Sequence, residues 1–166
     1  MIRSSSIRNK VYKFVHKEDE WITTNITDRQ FSNKRLLIEK SGKITIICSY
    51  GNGYAWDGCS PKCNFLHFTW GTPDGKLDYS TEKPMTYYAS MFHDALYQFK
   101  KEGCISRKEA DIIFKLLLKK AGFMWWPLYF GAVRVFGVFY GKWNRRTSKF
   151  GIRISPCSWD NNHEHA

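Results

Sequence analysis

The chain has 166 residues, of which 43% are hydrophobic and 17% aromatic, a composition that builds one modest core and excludes a low-complexity disordered protein. The 26 Lys and Arg residues against 15 Asp and Glu residues leave a net charge of +11, which attracts nucleic acids, anionic lipids and acidic proteins without selecting among them. We therefore expect one α+β domain over residues 1–150 and a flexible C-terminal tail over residues 151–166.

The N-terminus and the cysteines bear on the cellular compartment. Residues 1–8 lack the apolar stretch of a secretory signal, so a cytosolic location is expected. The chain has 5 cysteines at uneven spacing, and an odd, scattered set argues against a disulfide framework.

The first third of the chain is predicted to form antiparallel strands. Short runs rich in aromatic and β-branched residues are typical of strands, and the chain has four such runs: Val11–Val15, Trp21–Thr24, Leu36–Ile38 and Ile44–Ile47. Ser41 and Gly42 separate the last two runs and predict a hairpin. From Tyr50 to Tyr79 Gly, Pro, Asp and Asn recur, which predicts a long functional loop or short strand pieces.

Two helices are predicted after this loop. Ser80 or Thr81 caps the first, whose apolar residues recur at helical spacing until Gly103. Residues 106–109 fit a capping box that opens the second helix, and Gly122 ends it. The short connection between them predicts an antiparallel pair.

A third helix is predicted from Pro127 to about Trp143. It overlaps an 18-residue stretch, Met124 to Gly141, in which Arg134 is the only charge, so a membrane span has to be considered. Because a charge at the middle of a bilayer is costly, a packed helix is predicted instead. The predicted fold is thus an N-terminal antiparallel sheet or hairpins, a long loop and three packed helices.

A polar cluster on the first two predicted helices is the sharpest candidate site. His93 and Tyr97 are four residues apart and share a helix face, and the antiparallel pairing brings Asp111 within reach of either. A carboxylate that holds one imidazole nitrogen leaves the other free to take a proton from water. The pattern favours either a catalytic site formed by His93, Asp111 and Tyr97 or a purely structural cluster of hydrogen bonds.

Two metal sites are compatible with the sequence. Calcium takes about six to eight oxygen ligands, many of them backbone carbonyls, which Asp94 and the loop of residues 54–61 could supply through Trp56, Gly58 and Cys59. Zinc is the second candidate, since its ligands are thiolates and imidazoles, as in the series Cys59, Cys63 and His67. The aromatic residues around that series are equally typical of a core.

An ordered set of motifs resembles a bacteriophage and prophage family that is described only as a domain of unknown function. The motifs are D-G-x-S-P at residues 57–61, H-D-x-L-Y at 93–97, S-R-x-x-A-D-x-x-F at 106–114 and V-R-x-F-G at 133–137. They lie within residues 50–141. The resemblance implies a phage origin, and with it a location in the host cytoplasm or in the phage particle.

A second resemblance is to secreted and parvoviral phospholipase A2 enzymes. It rests on His-Asp-x-x-Tyr on a helix, a preceding glycine-containing loop and a later Asp on an antiparallel helix. This resemblance implies that His93 is the general base, that Asp111 orients it and that Asp94 binds calcium. Tyr97 matches a supporting tyrosine in those enzymes.

Two functions are therefore predicted. The first is a phage-encoded hydrolase with a phospholipase A2-like site, assisted by calcium. The second is a non-enzymatic phage accessory or virion protein that binds a host or phage macromolecule through a basic, aromatic surface.

The basic, aromatic C-terminal third bears on the partner. Trp125, Trp126 and Trp143 with the following basic residues favour contact with an anionic membrane surface, although a core helix with a solvated basic end gives the same pattern. No nucleic-acid-binding motif is present in the sequence, so specific nucleic-acid binding is not predicted.

Overall fold

A computed structural model describes residues 12–59, 63–65, 68–70, 76–78, 82–137 and 149–163. Its elements in chain order are β1 (Phe14–His16), β2 (Glu20–Thr24), β3 (Phe31–Ser32), β4 (Leu36–Ile38), β5 (Lys43–Ile46), β6 (Tyr54–Trp56), β7 (Cys63–Phe65), β8 (Phe68–Trp70), α1 (Tyr87–Gln98), α2 (Arg107–Lys120), α3 (Trp126–Phe136), β9 (Ile154–Cys157) and a 3-10 helix (Ser158–His163). The predicted α+β class is confirmed.

An antiparallel sheet of five strands, in the order β3-β4-β5-β2-β9, forms one side of the core. Its alternating isoleucine and leucine side chains are almost fully buried, namely Ile22, Leu36, Ile38, Ile44 and Ile46. The predicted hairpin is confirmed, since Leu36 pairs with Ile46 across β4 and β5. At Gly42, φ is +87° and a Cβ would lie 2.1 Å from the carbonyl oxygen of Thr24, so this turn requires glycine.

Residues 54–70 contain short strands within the predicted long loop. β6 pairs with β1 and β7 pairs with β8, each as a separate antiparallel pair. β6 ends at Trp56 and leads directly into residues 57–59. Its pairing with β1 therefore brings residues 57–59 to the helices. Residues 60–62, 66–67, 71–75 and 79–81 lie outside the described residues.

The C-terminal segment differs from the prediction of a flexible tail. β9 pairs with β2 at the edge of the sheet, where Cys157 lies opposite Ile22 and is fully buried. Ile152 is also buried. Residues 152–157 therefore belong to the domain. The sequence did not predict this strand, because its single short apolar run is interrupted by Pro156.

The first helix begins later than predicted. Thr86 is the residue before its first turn, and Pro84 lies in an isolated β-bridge with Leu77, so the chain is still extended where a helical start was expected. Ser80 and Thr81 lie outside the described residues. The capping box of α2 is confirmed, because Ser106 and Glu109 each bond the backbone N–H of the other.

α1 packs on α2, and α2 packs on α3. α3 is described up to Phe136, so the predicted C-terminal half of this helix lies outside the described residues. Among the residues that the structure describes, none of the helices has the length and apolarity needed to cross a bilayer.

Glu109 joins α2 to the sheet. Its carboxylate is fully buried and accepts hydrogen bonds from the Arg29 guanidinium, from the backbone N–H of Ser106 and from that of Lys149. Burial raises the pKa of Glu109, but these donors outweigh burial and leave the pKa below its ordinary value. The ionised carboxylate therefore holds three separate segments together.

Candidate active site

His93 and Asp111 meet where α1 packs on α2. The Nε2 atom of His93 lies 3.1 Å from Oδ1 of Asp111, and the hydroxyl of Tyr97 donates to the same oxygen at 2.6 Å. The contact that the helix spacing predicted is thus confirmed for both residues. It places one imidazole, one phenol and one carboxylate at a single crossing of two helices.

Asp111 is fully buried and receives a third donor from α3. The guanidinium of Arg134 donates to Oδ2 of Asp111 at 2.9 Å. Three donors, one of them a cation, satisfy a carboxylate that would otherwise be costly to bury. Sequence reasoning did not find this partner, although Arg134 stands out as the only charge in an apolar stretch.

The ring of His93 is held in one orientation. It lies between Tyr97 and Phe114, with ring centroids 4.1 Å and 4.7 Å away. An ionised carboxylate only accepts hydrogen bonds, so Nε2 carries the proton and Nδ1 has the lone pair. Among the described residues, no hydrogen bond reaches Nδ1 of His93, and the ring lines a cleft.

Tyr97 acts on Asp111 and not directly on a reacting group. Burial raises its pKa, and the charge of Asp111 raises it further, so the phenol keeps its proton and remains a donor. Gly137 lets α3 approach this phenol closely, since a Cβ at that position would lie 2.7 Å from the Tyr97 oxygen. Tyr97, Asp111 and Arg134 therefore form one hydrogen-bonded group that holds Nε2 of His93.

A cleft of about 120 Å³ opens beside His93. Its polar and apolar walls are formed by Gly58, Cys59, Ser90, His93, Asp94, Tyr97, Phe114, Val133, Phe136 and Gly137. The side chain of His93 is 13% exposed, whereas that of Asp111 is sealed. The imidazole thus connects a buried carboxylate to a cavity that can hold water or a small part of a substrate.

The predicted calcium ligands are only partly brought together. Asp94, Gly58 and Cys59 line the cleft with His93. The hydroxyl of Tyr54 donates to Oδ2 of Asp94 at 2.9 Å, so one carboxylate oxygen is already engaged. The indole of Trp56 is buried and donates to Ser90 at 3.0 Å, but the predicted ligand of this residue is its backbone oxygen. Among the described residues, no three His, Cys, Asp or Glu side chains are placed to hold a metal ion. Because calcium also binds backbone oxygens, its site stays a prediction.

The zinc prediction is covered by the structure only at Cys59, which is buried and lines the cleft beside His93. In the absence of a metal ion, burial raises the pKa of the Cys59 thiol to about 12. His67 and the side chain of Cys63 lie outside the described residues, so the remainder of this prediction stays a prediction.

Comparison with known proteins found no matching protein-family model, no matching curated protein and no matching solved structure. The resemblances to the phage family and to phospholipase A2 enzymes accordingly stay predictions, based on the residues quoted for them.

Proposed function

We propose that the protein is a phage-encoded hydrolase with a phospholipase A2-like site, in which His93 activates water against an ester. The observation that carries the proposal is the His93 to Asp111 contact of 3.1 Å beside a cleft, with Nε2 engaged and Nδ1 left as the basic nitrogen. A general base needs this arrangement, because the lone pair must reach the water while the other nitrogen is held.

The reaction balances with these groups alone. Nδ1 of His93 takes a proton from water as the water oxygen bonds to the ester carbonyl carbon. The tetrahedral intermediate then expels the alcohol, which receives the proton from the imidazolium. Asp111 stabilises the imidazolium, and Tyr97 and Arg134 fix Asp111. A positioned base of this kind contributes about 10²- to 10⁴-fold in rate.

The cleft favours an ester with an apolar acyl portion. Phe114, Val133 and Phe136 form its apolar wall, while Gly58 and Asp94 belong to its polar side. No step above uses calcium, and a calcium ion at Asp94 stays a prediction. The assay is therefore run both with calcium and without it.

The test is release of fatty acid from phospholipid vesicles, measured by mass spectrometry with calcium and with chelator. His93→Gln is compared with His16→Gln, a matched control because His16 also bonds a carboxylate and a tyrosine. We expect hydrolysis by the unchanged protein and by His16→Gln, and a loss of about 10²-fold or more in His93→Gln.

Two results would reject this function. One is intact phospholipid after prolonged incubation in both ionic conditions. The other is equal hydrolysis by folded His93→Gln. Either result would favour the non-enzymatic alternative, in which the same cluster serves structure alone.

A further inference from the structure

The outward side of α3 is apolar over its whole length. Its most exposed large side chains are Met124 at 85%, Trp125 at 65%, Leu128 at 64% and Val135 at 61%. Phe136 continues this surface at the end of the helix. These five residues are called the α3 face.

Unlike an ordinary surface helix, α3 is apolar on its outward side as well as on its inward side, where Tyr129 and Val133 are buried. A helix at a protein surface usually turns charged residues outward and apolar residues inward. The only charge of α3, Arg134, instead donates to the buried Asp111, and the α3 face carries none. A contiguous exposed apolar surface of this kind is typical of a binding surface.

Two lysines of α2 contact Trp126, the residue that follows Trp125 of the α3 face. Lys115 and Lys119 lie one turn apart on α2, with their ammonium groups 5.0 Å and 5.1 Å from the ring centroid of Trp126. Within the part of the chain that the structure describes, neither lysine forms a salt bridge. Both positive charges therefore remain available to an anionic partner.

We propose that the α3 face binds the surface of an anionic lipid bilayer, with its apolar side chains among the acyl chains and Lys115 and Lys119 at the headgroups. Apolar residues flanked by lysine are the pattern of an interfacial helix that lies on a membrane. A second copy of this chain is a poorer occupant, because each copy carries a net charge of +11.

The N-terminal end of the α3 face is concave. A groove of about 700 Å³ opens there, lined by Met124, Trp125 and Leu128 together with the buried Phe123 and Tyr129. An acyl chain that enters from a bilayer matches its apolar walls. At the other end of the helix, Phe136 belongs to both the α3 face and the cleft beside His93. The bound membrane would thus lie next to the cleft, although membrane binding does not depend on hydrolysis.

The experiment is sedimentation with vesicles of phosphatidylcholine alone and with about one third phosphatidylglycerol. Binding is expected only to the anionic vesicles and should weaken at high salt. Trp125→Ser with Leu128→Ser should lower the association constant about tenfold or more, and Lys115→Gln or Lys119→Gln about fivefold each. His93→Gln should bind as the unchanged protein does, which separates this inference from the proposed function.

Tyr50→Ser is the matched control, because Tyr50 is an exposed aromatic residue beside Lys34 and Arg35 but lies between β5 and β6. It should leave vesicle binding unchanged, and thermal unfolding should show that all variants remain folded. Equal binding by the Trp125 and Leu128 double variant would overturn the proposal. So would absence of vesicle binding, or a dimer in light scattering that the double variant abolishes, since the face would then belong to a second copy.

Discussion

Two histidine–carboxylate pairs lie in the described part of the chain. Both combine a histidine and a carboxylate with a tyrosine, but they differ in their hydrogen bonds and surroundings. His16 uses both ring nitrogens: Nδ1 lies 3.2 Å from the hydroxyl of Tyr87, and Nε2 lies 2.8 Å from Glu20. His93 uses only Nε2 for Asp111, and its ring lines a cleft. The presence of His, carboxylate and Tyr therefore does not distinguish the two pairs, whereas the unbonded nitrogen of His93 and the cleft beside it make that pair the candidate site.

The carboxylates of the two pairs also differ in what holds them. Glu20 accepts from the hydroxyl of Ser158, which follows β9, and so ties the sheet to the C-terminal segment. Asp111 accepts from Arg134 on α3 and ties two helices together beside the cleft. We therefore expect the first pair to determine stability and the second to determine rate.

The largest expected effect comes from neutralising the two carboxylates. Asp111→Asn should lower the rate of ester hydrolysis about 10³-fold, because an amide stabilises the imidazolium poorly and can favour the wrong tautomer. Glu20→Gln should leave the rate of the folded protein within about twofold. Steady-state kinetics on phospholipid vesicles measures both. Equal rate losses in the two variants would remove the functional distinction between the pairs.

Glu109 lies two residues before Asp111 on α2 and is a structural carboxylate. Glu109→Gln should lower the free energy of unfolding by about 3 kcal/mol at neutral pH, because it removes the buried charged partner of the Arg29 guanidinium and leaves the exposed Asp28 at 3.8 Å. Chemical denaturation measures this loss. The rate per folded molecule should stay unchanged.

The acid stability of the protein should depend on the same residue. The folded pKa of Glu109 is below its ordinary value of 4.5, so its contribution is fully present above that value and is lost as the pH falls through the folded pKa. From pH 6 downward, the free energy of unfolding measured by chemical denaturation should therefore fall less steeply with decreasing pH for Glu109→Gln than for the unchanged protein. An identical pH dependence in the variant would contradict the assigned role.

Removal of each imidazole should separate the pairs by stability. His16→Ala leaves the buried Glu20 and the hydroxyl of Tyr87 without their shared partner and should cost about 2 kcal/mol. His93→Ala should cost about 1 kcal/mol, since Asp111 keeps Tyr97 and Arg134. Urea denaturation at neutral pH provides the comparison. A larger loss in His93→Ala would mean that its cluster is the structural one.

The smallest expected effect tests the close approach of α3. Gly137→Ala places a methyl group 2.7 Å from the Tyr97 oxygen and should reduce hydrolysis about tenfold by displacing a donor of Asp111. Gly131→Ala is the matched control on the same helix, because nothing lies within 4 Å of a Cβ there. It should raise stability by about 0.5 kcal/mol and leave the rate unchanged. Equal rates in both alanine variants would show that Tyr97 is not a positioning residue.

The site on the helices could be predicted from the sequence because helical spacing and a short connection determine which residues face one another. This is why His93, Tyr97 and Asp111 were expected together. The His16 to Glu20 contact depends on where β1 and β2 come to lie relative to Tyr87, which no local pattern specifies. Arg134 stands out in the sequence as the only charge of an apolar stretch, but its partner was not predictable, since the direction of a third helix depends on tertiary packing.

The fold was predictable to a similar degree. Alternation and turn residues predicted the β4–β5 hairpin, and the capping box predicted the start of α2. The start of α1 and the pairing of β9 were not predictable, because both depend on long-range backbone hydrogen bonds. The calcium prediction relied on backbone oxygens, whose directions residue types do not reveal.

The most direct test of the central claim is alkylation of the folded protein with a small α-haloketone, followed by peptide mapping and an assay of residual hydrolysis. The reagent modifies an imidazole nitrogen that is both basic and accessible. We predict rapid modification of His93 with a proportional loss of hydrolysis, and protection of His16 until the protein unfolds. Modification of His93 no faster than that of His16, or full hydrolysis after complete modification of His93, would contradict the account.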